Sequence, residues 1–564
     1  MKKRSLLLFI STLFISFYAP GQLHAQVKPD SAELKMDEIF TAYNHSKGPG
    51  CAVAIIKNGQ VLFKKGYGMA NLEYDIPVST ATIFDVASVS KQFTGLAISI
   101  LVHDGKIDLD EDIKKYLPDV PAYGQKVTVR QLLHHTSGIR DCFDALVVAG
   151  WRWNDVFSFQ DVMKMVKYQK ELNFKPGTQF SYCNTEYNLL QAIVEKVSGK
   201  TYPEWTDEHI FKPIGMDHSC FMEDFSKIIK NLANPYDVNG TTYTRDMQQS
   251  GTMSMFSSID DLSKWVIHFQ QALADKDPVY VRMVQQGLLY DGTETHYGFG
   301  LEIGEDHGLK TISHTGAWGG YRANIKNYPD QKFALVTLSN AADNELSGKY
   351  ASAMATVFLK GEFKADPNSI DKIKAMPTIK PDANLLNKYA GTFKLAPPAG
   401  ITLNFTVDSG QLTGHNGPNN FPLEAKTNNT FFIALDNSSI TFVNNKTGVA
   451  DAFIYKSTSM VLNGSRVITG SIKFSPGPEQ LKQNAGTYYN PELETQYTVI
   501  FENGKLVIHH FRRGDFELSA NPSAIDAFTG DPGEIHFFKN KSGKISGFDL
   551  SAERIRNIRF EKKY

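Results

Sequence analysis

The chain has 564 residues, of which 42% are apolar and 21% are charged. At about 150 residues per domain this length predicts three or four domains, and the composition is typical of globular proteins rather than disordered ones. The formal net charge is −1, which argues against nucleic acid or an anionic membrane surface as a partner.

Residues 1–25 have the pattern of a cleaved export signal. A basic stretch at residues 2–4 precedes the apolar run Ser5–Tyr18, and Leu23-His24-Ala25 offers a cleavage site. The apolar run is shorter than the about 20 residues that cross a bilayer. We therefore expect no stable membrane insertion, and we predict a mature protein that is periplasmic or secreted.

Four cysteines are widely spaced along the chain: Cys51, Cys142, Cys183 and Cys220. They form no C-x-x-C pair, and no cluster of histidines and acids accompanies the adjacent His134 and His135, so we expect no metal and no other cofactor. Export to an oxidising compartment would permit a disulfide. Isolated buried thiols are the favoured interpretation, and the pairing stays open.

Residues 26–370 combine strand and helix patterns and predict one mixed α/β domain. Residues 51–68 read as a β-hairpin, and residues 310–340 again look like strands. Helical periodicity lies between them, at residues 93–106, 184–200 and 257–273. We expect an antiparallel sheet in which the early hairpin pairs with the late strands.

The rest of the chain predicts two small all-β barrel domains, residues 380–475 and 476–564, after a linker at about 363–385. An internal repeat supports this division. Residues 389–393, 401–415 and 438–456 correspond, in the same order, to residues 484–488, 496–510 and 534–551. The oligomeric state cannot be derived from these patterns.

Ser88-Val89-Ser90-Lys91 spells S-x-x-K where an extended segment gives way to an apolar helix. The i, i+3 spacing places Ser88 and Lys91 on one helix face, whereas Ser90 points elsewhere. A lysine in a buried helix can accept the serine proton only if its pKa falls well below about 10.4. We predict Ser88 as nucleophile and Lys91 as its partner, and we interpret the second copy, Ser369 to Lys372, as a chance match.

Tyr182-Cys183-Asn184 spells Y-x-N before a predicted helix. The Tyr182 phenol could move a proton between the serine and the leaving group, and the Asn184 amide could bind a substrate carbonyl and hold Lys91. Taken alone, this motif is better explained by a turn tyrosine and a capping asparagine. Cys183 is not a nucleophile candidate, because no histidine is paired with it.

His314-Thr315-Gly316 lies in a predicted strand. Such a strand at the edge of a site can pair with an extended substrate, and Gly316 lets that backbone come close. The N–H groups of Ala317 and Ser88 could form an oxyanion hole.

The three motifs in this order resemble the penicillin-binding protein and class C β-lactamase family of serine hydrolases. Further matches are Leu133–Gly138, similar to the family's L-x-H-T-S-G, and Tyr297–Gly300. The resemblance covers about residues 35–360 and implies a β-lactamase/transpeptidase-like fold. It also implies acyl transfer through acyl-Ser88, with Lys91 and Tyr182 as acid–base pair.

His314 stands where strong β-lactamases of the family carry lysine, and it looks like the D,D-carboxypeptidases and D-aminopeptidases of the family. The two predicted barrels are also similar to the D-aminopeptidases, in which the last barrel restricts the site. Arg512 and Arg513 could form such a restricting loop, although a solvated hairpin tip is the simpler interpretation. Trp151 and Trp153 are core residues by default, or a wall for an apolar substrate group.

We therefore predict an exported peptidase or amidase that acts on small peptides or amides containing D-amino acids. An esterase, or a class C-like β-lactamase or D,D-carboxypeptidase, is the alternative within the same chemistry. A non-catalytic protein that binds penicillin or cell-wall peptides is the alternative of another class. Whether Lys91 or Tyr182 takes the first proton stays open, because their titrations would be coupled.

Overall fold

The computed structural model describes residues 29–45, 47–152, 155–224, 226–243, 247–248, 254–364, 369–395, 402–416, 419–457, 461–467, 474–521, 524–531 and 533–563. Residues 1–25, the predicted export signal, lie outside these ranges. Within them, no helix combines the length and the apolar character that crossing a membrane requires.

A six-stranded antiparallel sheet forms the centre of the first domain. The early hairpin occupies one edge, and Cys51–Lys57 pairs with the late strand Phe333–Ser339, as the sequence predicts. In spatial order the strands are Glu302–Asp306, Leu309–Trp318, Tyr321–Tyr328, Phe333–Ser339, Cys51–Lys57 and Gln60–Tyr67.

Helices accompany this sheet, and three of them coincide with the periodic segments of the sequence. These three are Lys91–His103, Asn184–Ser198 and Ile259–Ala274. The other α-helices of the domain are Pro29–Ile39, Val129–Leu133, Cys142–Val148, Phe159–Tyr168, Tyr202–Thr206, Lys212–Ile214, Pro278–Met283 and Lys349–Leu359. Tighter or wider helical turns are Ala87–Ser90, Ile113–Lys115, Asp207–Phe211, Pro329–Gln331 and Asn344–Leu346, and minor strands are Met69–Asn71, Ile76–Pro77, Phe84–Asp85, Phe157–Ser158, Cys220–Phe221, Met247–Gln248 and Met255–Ser257.

The segment interpreted as a linker is partly helical. Ile370–Ala375 and Ala383–Tyr389 are helices, and the buried Ile370 and Ile373 pack against Phe432 of the following sheet. Prolines and charges dominate this segment, so its two apolar anchors are easily overlooked in the sequence.

The first C-terminal sheet has nine strands and is nearly closed. Its two edge strands, Asn419–Pro422 and Glu424–Ala425, are consecutive pieces of one segment, so the chain itself joins the edges. The Leu423 N–H between them donates to the Leu412 carbonyl. The other strands are Gly391–Leu395, Thr402–Asp408, Gln411–Asn416, Thr430–Ile433, Ser438–Asn444, Ala450–Lys456 and Val461–Arg466.

The second C-terminal sheet is a closed barrel of eight strands, which follows the helix Pro478–Gln483. Closure pairs the first strand with the last and leaves no open sheet edge. The strands are Gly486–Asn490, Thr495–Glu502, Lys505–His510, Gly514–Ala520, Ala527–Gly530, Gly533–Lys539, Ile545–Ala552 and Ile555–Lys563.

Equivalent details support the internal repeat. Gly391 and Gly486 begin the first strand of each sheet with φ of 136° and 152°. A basic side chain on the last strand covers each glycine, Arg466 in the first sheet and Lys562 in the second. Both side chains donate to carbonyls at the end of the helix that precedes the first strand.

The two C-terminal sheets differ in how they are attached. Aromatic residues such as Phe393 and Phe442 fill a separate core in the first sheet. In the second barrel, residues such as Tyr497 and Phe560 belong to the same apolar cluster as the centre of the first domain. The second barrel is therefore packed directly onto the domain that carries the predicted catalytic residues.

Candidate active site

A sharp turn presents Ser88 at the start of its helix. The short strand Phe84–Asp85 ends there, and Ala87 adopts φ of 47°, a left-handed conformation that is uncommon for a residue with a side chain. Asp85 holds the turn, because its Oδ1 accepts a hydrogen bond from the Ala87 N–H at 2.7 Å. Strain of this kind persists where the surrounding structure enforces it.

Ser88, Lys91 and Asn184 form a connected group, although they come from two helices. Lys91 Nζ lies 3.0 Å from Ser88 Oγ and 2.9 Å from Asn184 Oδ1. Lys91 is fully buried, whereas Ser88 retains 9% exposure. Ser90 is fully buried, and within the described part of the chain its Oγ has no hydrogen-bond partner. The geometry thus places Ser88 rather than Ser90 at the lysine.

The second S-x-x-K sequence has an ordinary structural role. Ser369 caps the helix Ile370–Ala375, and its hydroxyl accepts from the Lys372 backbone N–H. A serine that caps a helix in this way satisfies a free backbone donor.

Burial shifts the pKa values of Lys91 and Tyr182 in opposite senses. It lowers the pKa of Lys91 to about 7, an effect that the Arg554 cation reinforces and the Asp141 carboxylate opposes. It raises the pKa of Tyr182 above its ordinary value, and a hydrogen bond with Ser88 only partly offsets this rise. Near neutral pH, Lys91 is therefore the group that can lack a proton, while Tyr182 keeps its own.

A buried polar cluster supports the Tyr182 ring. The His135 ring lies 4.4 Å from the Tyr182 ring between centroids, and His135 Nδ1 lies 2.5 Å from Glu186 Oε2. Ser137 donates to the other oxygen of the same carboxyl group from its hydroxyl and from its backbone N–H. Burial raises the pKa of Glu186 well above its ordinary value and lowers that of His135 well below, so both groups favour their neutral forms.

His314, the first residue of the third motif, is an uncharged histidine with a hydrogen bond at each ring nitrogen. Its Nδ1 lies 2.6 Å from the Thr315 carbonyl, to which it must donate, and its Nε2 accepts from the Tyr297 hydroxyl at 2.9 Å. Burial lowers the pKa of His314 to about 3, and the nearby Lys91 acts in the same direction. The histidine therefore offers no positive charge to a substrate carboxylate.

The strand that carries this motif extends beyond one of its neighbours. Glu302–Asp306 pairs only with residues 309–313, so Thr315, Gly316 and Ala317 lie past its end. Trp318 pairs with Tyr321 across a two-residue turn, and Ala317 forms the next pair with Arg322. Hydrogen-bonded and non-hydrogen-bonded pairs alternate along an antiparallel ladder, so the Ala317 N–H points away from the strand Tyr321–Tyr328. A Cβ on Gly316 would lie 2.2 Å from the Val86 carbonyl, so the glycine also lets the strand approach the Ser88 turn.

An acidic residue, Asp141, lies behind Asn184 and is not among the site residues predicted from the sequence. Asp141 Oδ2 accepts from both the backbone N–H and the Nδ2 of Asn184, at 2.7 and 2.8 Å. Asp141 also caps the helix Cys142–Val148, and an aspartate before an apolar run is a readable capping signal. Its further partner is not readable, because Arg554 Nη2 lies 3.5 Å from Asp141 Oδ1 and comes from the second barrel.

The second barrel contacts the site region through several polar pairs. Arg140 forms a buried ion pair with Glu492 at 2.5 Å, and the Tyr497 hydroxyl donates to the Val148 carbonyl. Arg512 reaches Asp155 at 2.6 Å and lies over the Trp151 ring, which stacks on Phe157. Arg513 instead binds Asp531 within the barrel, and Trp153 lies outside the described residues.

The remaining histidine and cysteine candidates have structural surroundings. His134 Nδ1 bonds the Tyr297 carbonyl at 2.8 Å, and burial lowers the pKa of His134 to about 4. All four cysteines are free thiols. No group of three or more histidine, cysteine, aspartate or glutamate side chains suited to a metal ion occurs among the residues that the structure describes.

Comparison with known proteins identifies the family. The Beta-lactamase family model matches residues 36–356. The chain belongs to the Beta-lactamase family. This confirms the predicted fold class and the resemblance to a family of serine hydrolases.

Curated relatives of the chain include a D-aminopeptidase and a staphylococcal protein. D-aminopeptidase of Gluconobacter oxydans (strain 621H) is 28% identical over 300 residues, which cover 52% of this chain and 56% of that protein. Protein flp of Staphylococcus aureus (strain N315) is 30% identical over 331 residues, covering 55% and 64%. The chain thus spans less than two thirds of the length of either relative.

Solved structures show the same fold. The octameric penicillin-binding protein homologue from Pyrococcus abyssi superposes with a TM-score of 0.52 at 23% identity, covering 86% of this chain and 99% of that one. The structure of SurE superposes with a TM-score of 0.52 at 21% identity, covering 78% and 99%.

A pH profile tests whether Lys91 is the base. Only its neutral amine can accept a proton, and burial lowers its pKa to about 7. The rate of Ser88 acylation should therefore rise with pH and level off above about pH 8. A stopped-flow pH profile with an activated ester would show this rising part of the curve, the acid limb. A limb near pH 10, typical of an ordinary lysine, would contradict the assignment.

Chelation tests the metal-free prediction. Treatment with EDTA should leave the hydrolysis rate unchanged, because the chemistry is assigned to serine, lysine and tyrosine alone. A large loss that added zinc or magnesium restores would contradict it.

Proposed function

We propose that this protein is a serine hydrolase that works through an acyl intermediate on Ser88. The observation that carries the proposal is the contact between Lys91 Nζ and Ser88 Oγ at 3.0 Å, with the lysine fully buried. A serine hydroxyl becomes a useful nucleophile when an adjacent base takes its proton.

In the proposed acylation, neutral Lys91 takes the hydroxyl proton of Ser88. The serine oxygen then attacks the substrate carbonyl carbon, and the N–H groups of Ser88 and Ala317 stabilise the resulting oxyanion. As the carbon–nitrogen bond breaks, the leaving amine receives a proton through Tyr182, whose raised pKa keeps it protonated and able to donate. Tyr182 regains a proton from Lys91, which returns the Lys91 amine to its neutral form. Water then hydrolyses the ester on Ser88 with the same groups acting in reverse.

Small peptides or amides that contain a D-amino acid are the proposed substrates. Two observations support this class over a β-lactam or a C-terminal carboxylate. His314 is neutral, with its pKa lowered to about 3 by burial, and the second barrel packs beside the site through Arg140 and Arg554. The relatives named D-aminopeptidase, and the structure of SurE with D-Leu, are consistent with it.

The protein is further proposed to act outside the cytoplasm. The basic and apolar pattern of residues 1–25 and the possible cleavage site after Ala25 support this location. N-terminal sequencing of the protein from the exported fraction of its host would test this location. The proposal expects Gln26 as the first residue, and a protein that keeps residues 1–25 would contradict it.

Replacing Lys91 with Ala should lower the acylation rate by about 10²-fold or more, because the proton acceptor for Ser88 is removed. Lys372→Ala is a matched control, because it changes the other S-x-x-K sequence, in which the serine only caps a helix. Near-normal kcat in Lys91→Ala, measured in the folded protein, would remove Lys91 from the mechanism.

The substrate class is tested with D-alanyl-p-nitroanilide and the same compound acetylated on its amine. The proposal expects cleavage of the free amine, loss of cleavage in Ser88→Ala, and little cleavage of the acetylated compound. Serine-dependent cleavage of the acetylated compound alone would contradict an aminopeptidase. If neither compound is cleaved while Ser88 is still acylated by an activated ester, the substrate class is wrong and the nucleophile is retained.

A further inference from the structure

Arg554 lies in the turn between the last two strands of the second barrel, yet its side chain reaches the first domain. Its Nε and Nη2 lie 3.2 and 3.3 Å from the two oxygens of Asp144, and its backbone N–H also donates to Asp144. Nη2 lies 3.5 Å from Asp141 Oδ1 as well. One arginine thus holds two carboxyl groups that precede and begin the helix Cys142–Val148.

Asp141 connects Arg554 to Lys91 through Asn184. While one of its oxygens faces Arg554, the other accepts two hydrogen bonds from Asn184. The Asn184 amide can then present only its oxygen to Lys91, at 2.9 Å. An unbroken series of polar contacts therefore links the barrel turn to the amine beside Ser88.

We propose that Arg554 is a positioning residue of the hydrolase site, which acts through Asp141 and Asn184 to orient the amine of Lys91 toward Ser88. The inference rests on the proposed function, because it takes Lys91 as the base for Ser88. It gives the second barrel a part in catalysis itself, in addition to any role in restricting the substrate.

The electrostatic environment agrees with this geometry. Asp141 is fully buried, and Asp144 is nearly so. Without a cation, two buried carboxylates beside Asn184 would be unpaired, which is costly, and Asp141 would favour protonated Lys91. Arg554 counters both effects, since it pairs with the carboxylates and itself lowers the pKa of Lys91.

Other titratable groups also face Lys91 and must be considered in any pH dependence. They are Tyr182 and Tyr187, whose rings lie 5.1 and 5.8 Å from Nζ, together with Cys142, Cys183, His135 and His314. Burial raises the pKa values of the two tyrosines and the two cysteines and lowers those of both histidines. These groups therefore stay neutral near pH 7. Among the described residues, the charges that act on the Lys91 pKa are those of Asp141 and of Arg554, and Arg554 is in turn paired with Asp144.

The experiment compares Arg554→Met, Arg554→Lys and Arg556→Met in the full-length protein. Ser88 acylation by p-nitrophenyl acetate is followed between about pH 5 and pH 9, with Ser88→Ala as background. Arg556 is the control, because it is an exposed arginine at the start of the last strand, two residues from Arg554. Its guanidinium donates to the carbonyls of Ala552 and Ile555, so its charge acts on Asp144 without a hydrogen bond to it. Thermal unfolding shows whether each variant is folded.

In Arg554→Met the acid limb should move up by about one pH unit, because the cation that opposes Asp141 is gone. From a starting pKa of about 7, acylation at pH 7 should then fall about fivefold. Arg554→Lys keeps the charge, so the midpoint of its acid limb should stay close to that of the unmodified protein. Arg556→Met should not move that midpoint. An unmoved limb in folded Arg554→Met would overturn the inference.

Asp144→Asn separates positioning from simple docking. It weakens the paired contact that anchors Arg554 but leaves the cation beside Asp141, so the acid limb should not move up. If Arg554 only docks the barrel, Asp144→Asn should behave like Arg554→Met, and an upward shift in Asp144→Asn would overturn the inference even if Arg554→Met does not fold. Absence of Ser88-dependent acylation in the unmodified protein would instead overturn the proposed function, and the inference with it.

Discussion

The fully buried amine of Lys91 is the constraint on which the rest of the site depends. A charged ammonium in such a place is costly unless it is paired and hydrogen-bonded, and here burial lowers its pKa to about 7. The Lys91 amine can therefore exist without its proton near neutral pH. It still needs acceptors when protonated, and Ser88 Oγ and Asn184 Oδ1 supply them. Tyr182, partly buried beside the same amine, keeps its own proton, so near neutral pH one group can accept a proton and the other can donate one.

The segment of residues 139–144, which ends in the first turn of the helix Cys142–Val148, joins this site to the second barrel. It follows the Leu133–Gly138 motif, and it carries Arg140, which pairs with Glu492, as well as Asp141 and Asp144, which face Arg554. The same segment thus orients Asn184 on one side and contacts the second barrel on the other. Because the apolar core is also continuous across this contact, a displaced barrel would disturb the polar contacts that support Lys91.

The sequence predicts the parts of this site that follow local rules. The i, i+3 spacing brings Ser88 and Lys91 together, and the hairpin at residues 51–68 and the strands at 310–340 are readable from alternation and turn residues. What it could not supply are contacts between distant segments. Asp144 and Arg554 are 410 residues apart, and Glu186 lies against Ser137 only because the helix Asn184–Ser198 packs behind the Leu133–Gly138 motif. Within residues 363–385 the prolines and charges obscured the helix Ile370–Ala375, whose two isoleucines anchor it to the first C-terminal sheet, and the start of the helix Ala383–Tyr389.

Comparison of the two repeated sheets shows where the second barrel differs from the first in the segment that contacts the first domain. Both sheets have the glycine that begins the first strand and the basic residue that covers it. The segments between their last two strands differ in sequence. The second barrel has Glu553-Arg554, whereas the corresponding segment of the first reads Ser457-Thr458-Ser459-Met460 and contains no basic residue. An arginine placed in a turn costs the barrel little, because turn residues contribute little to its core. Arg554 in that position supplies the two carboxyl groups of the neighbouring domain with a positive charge.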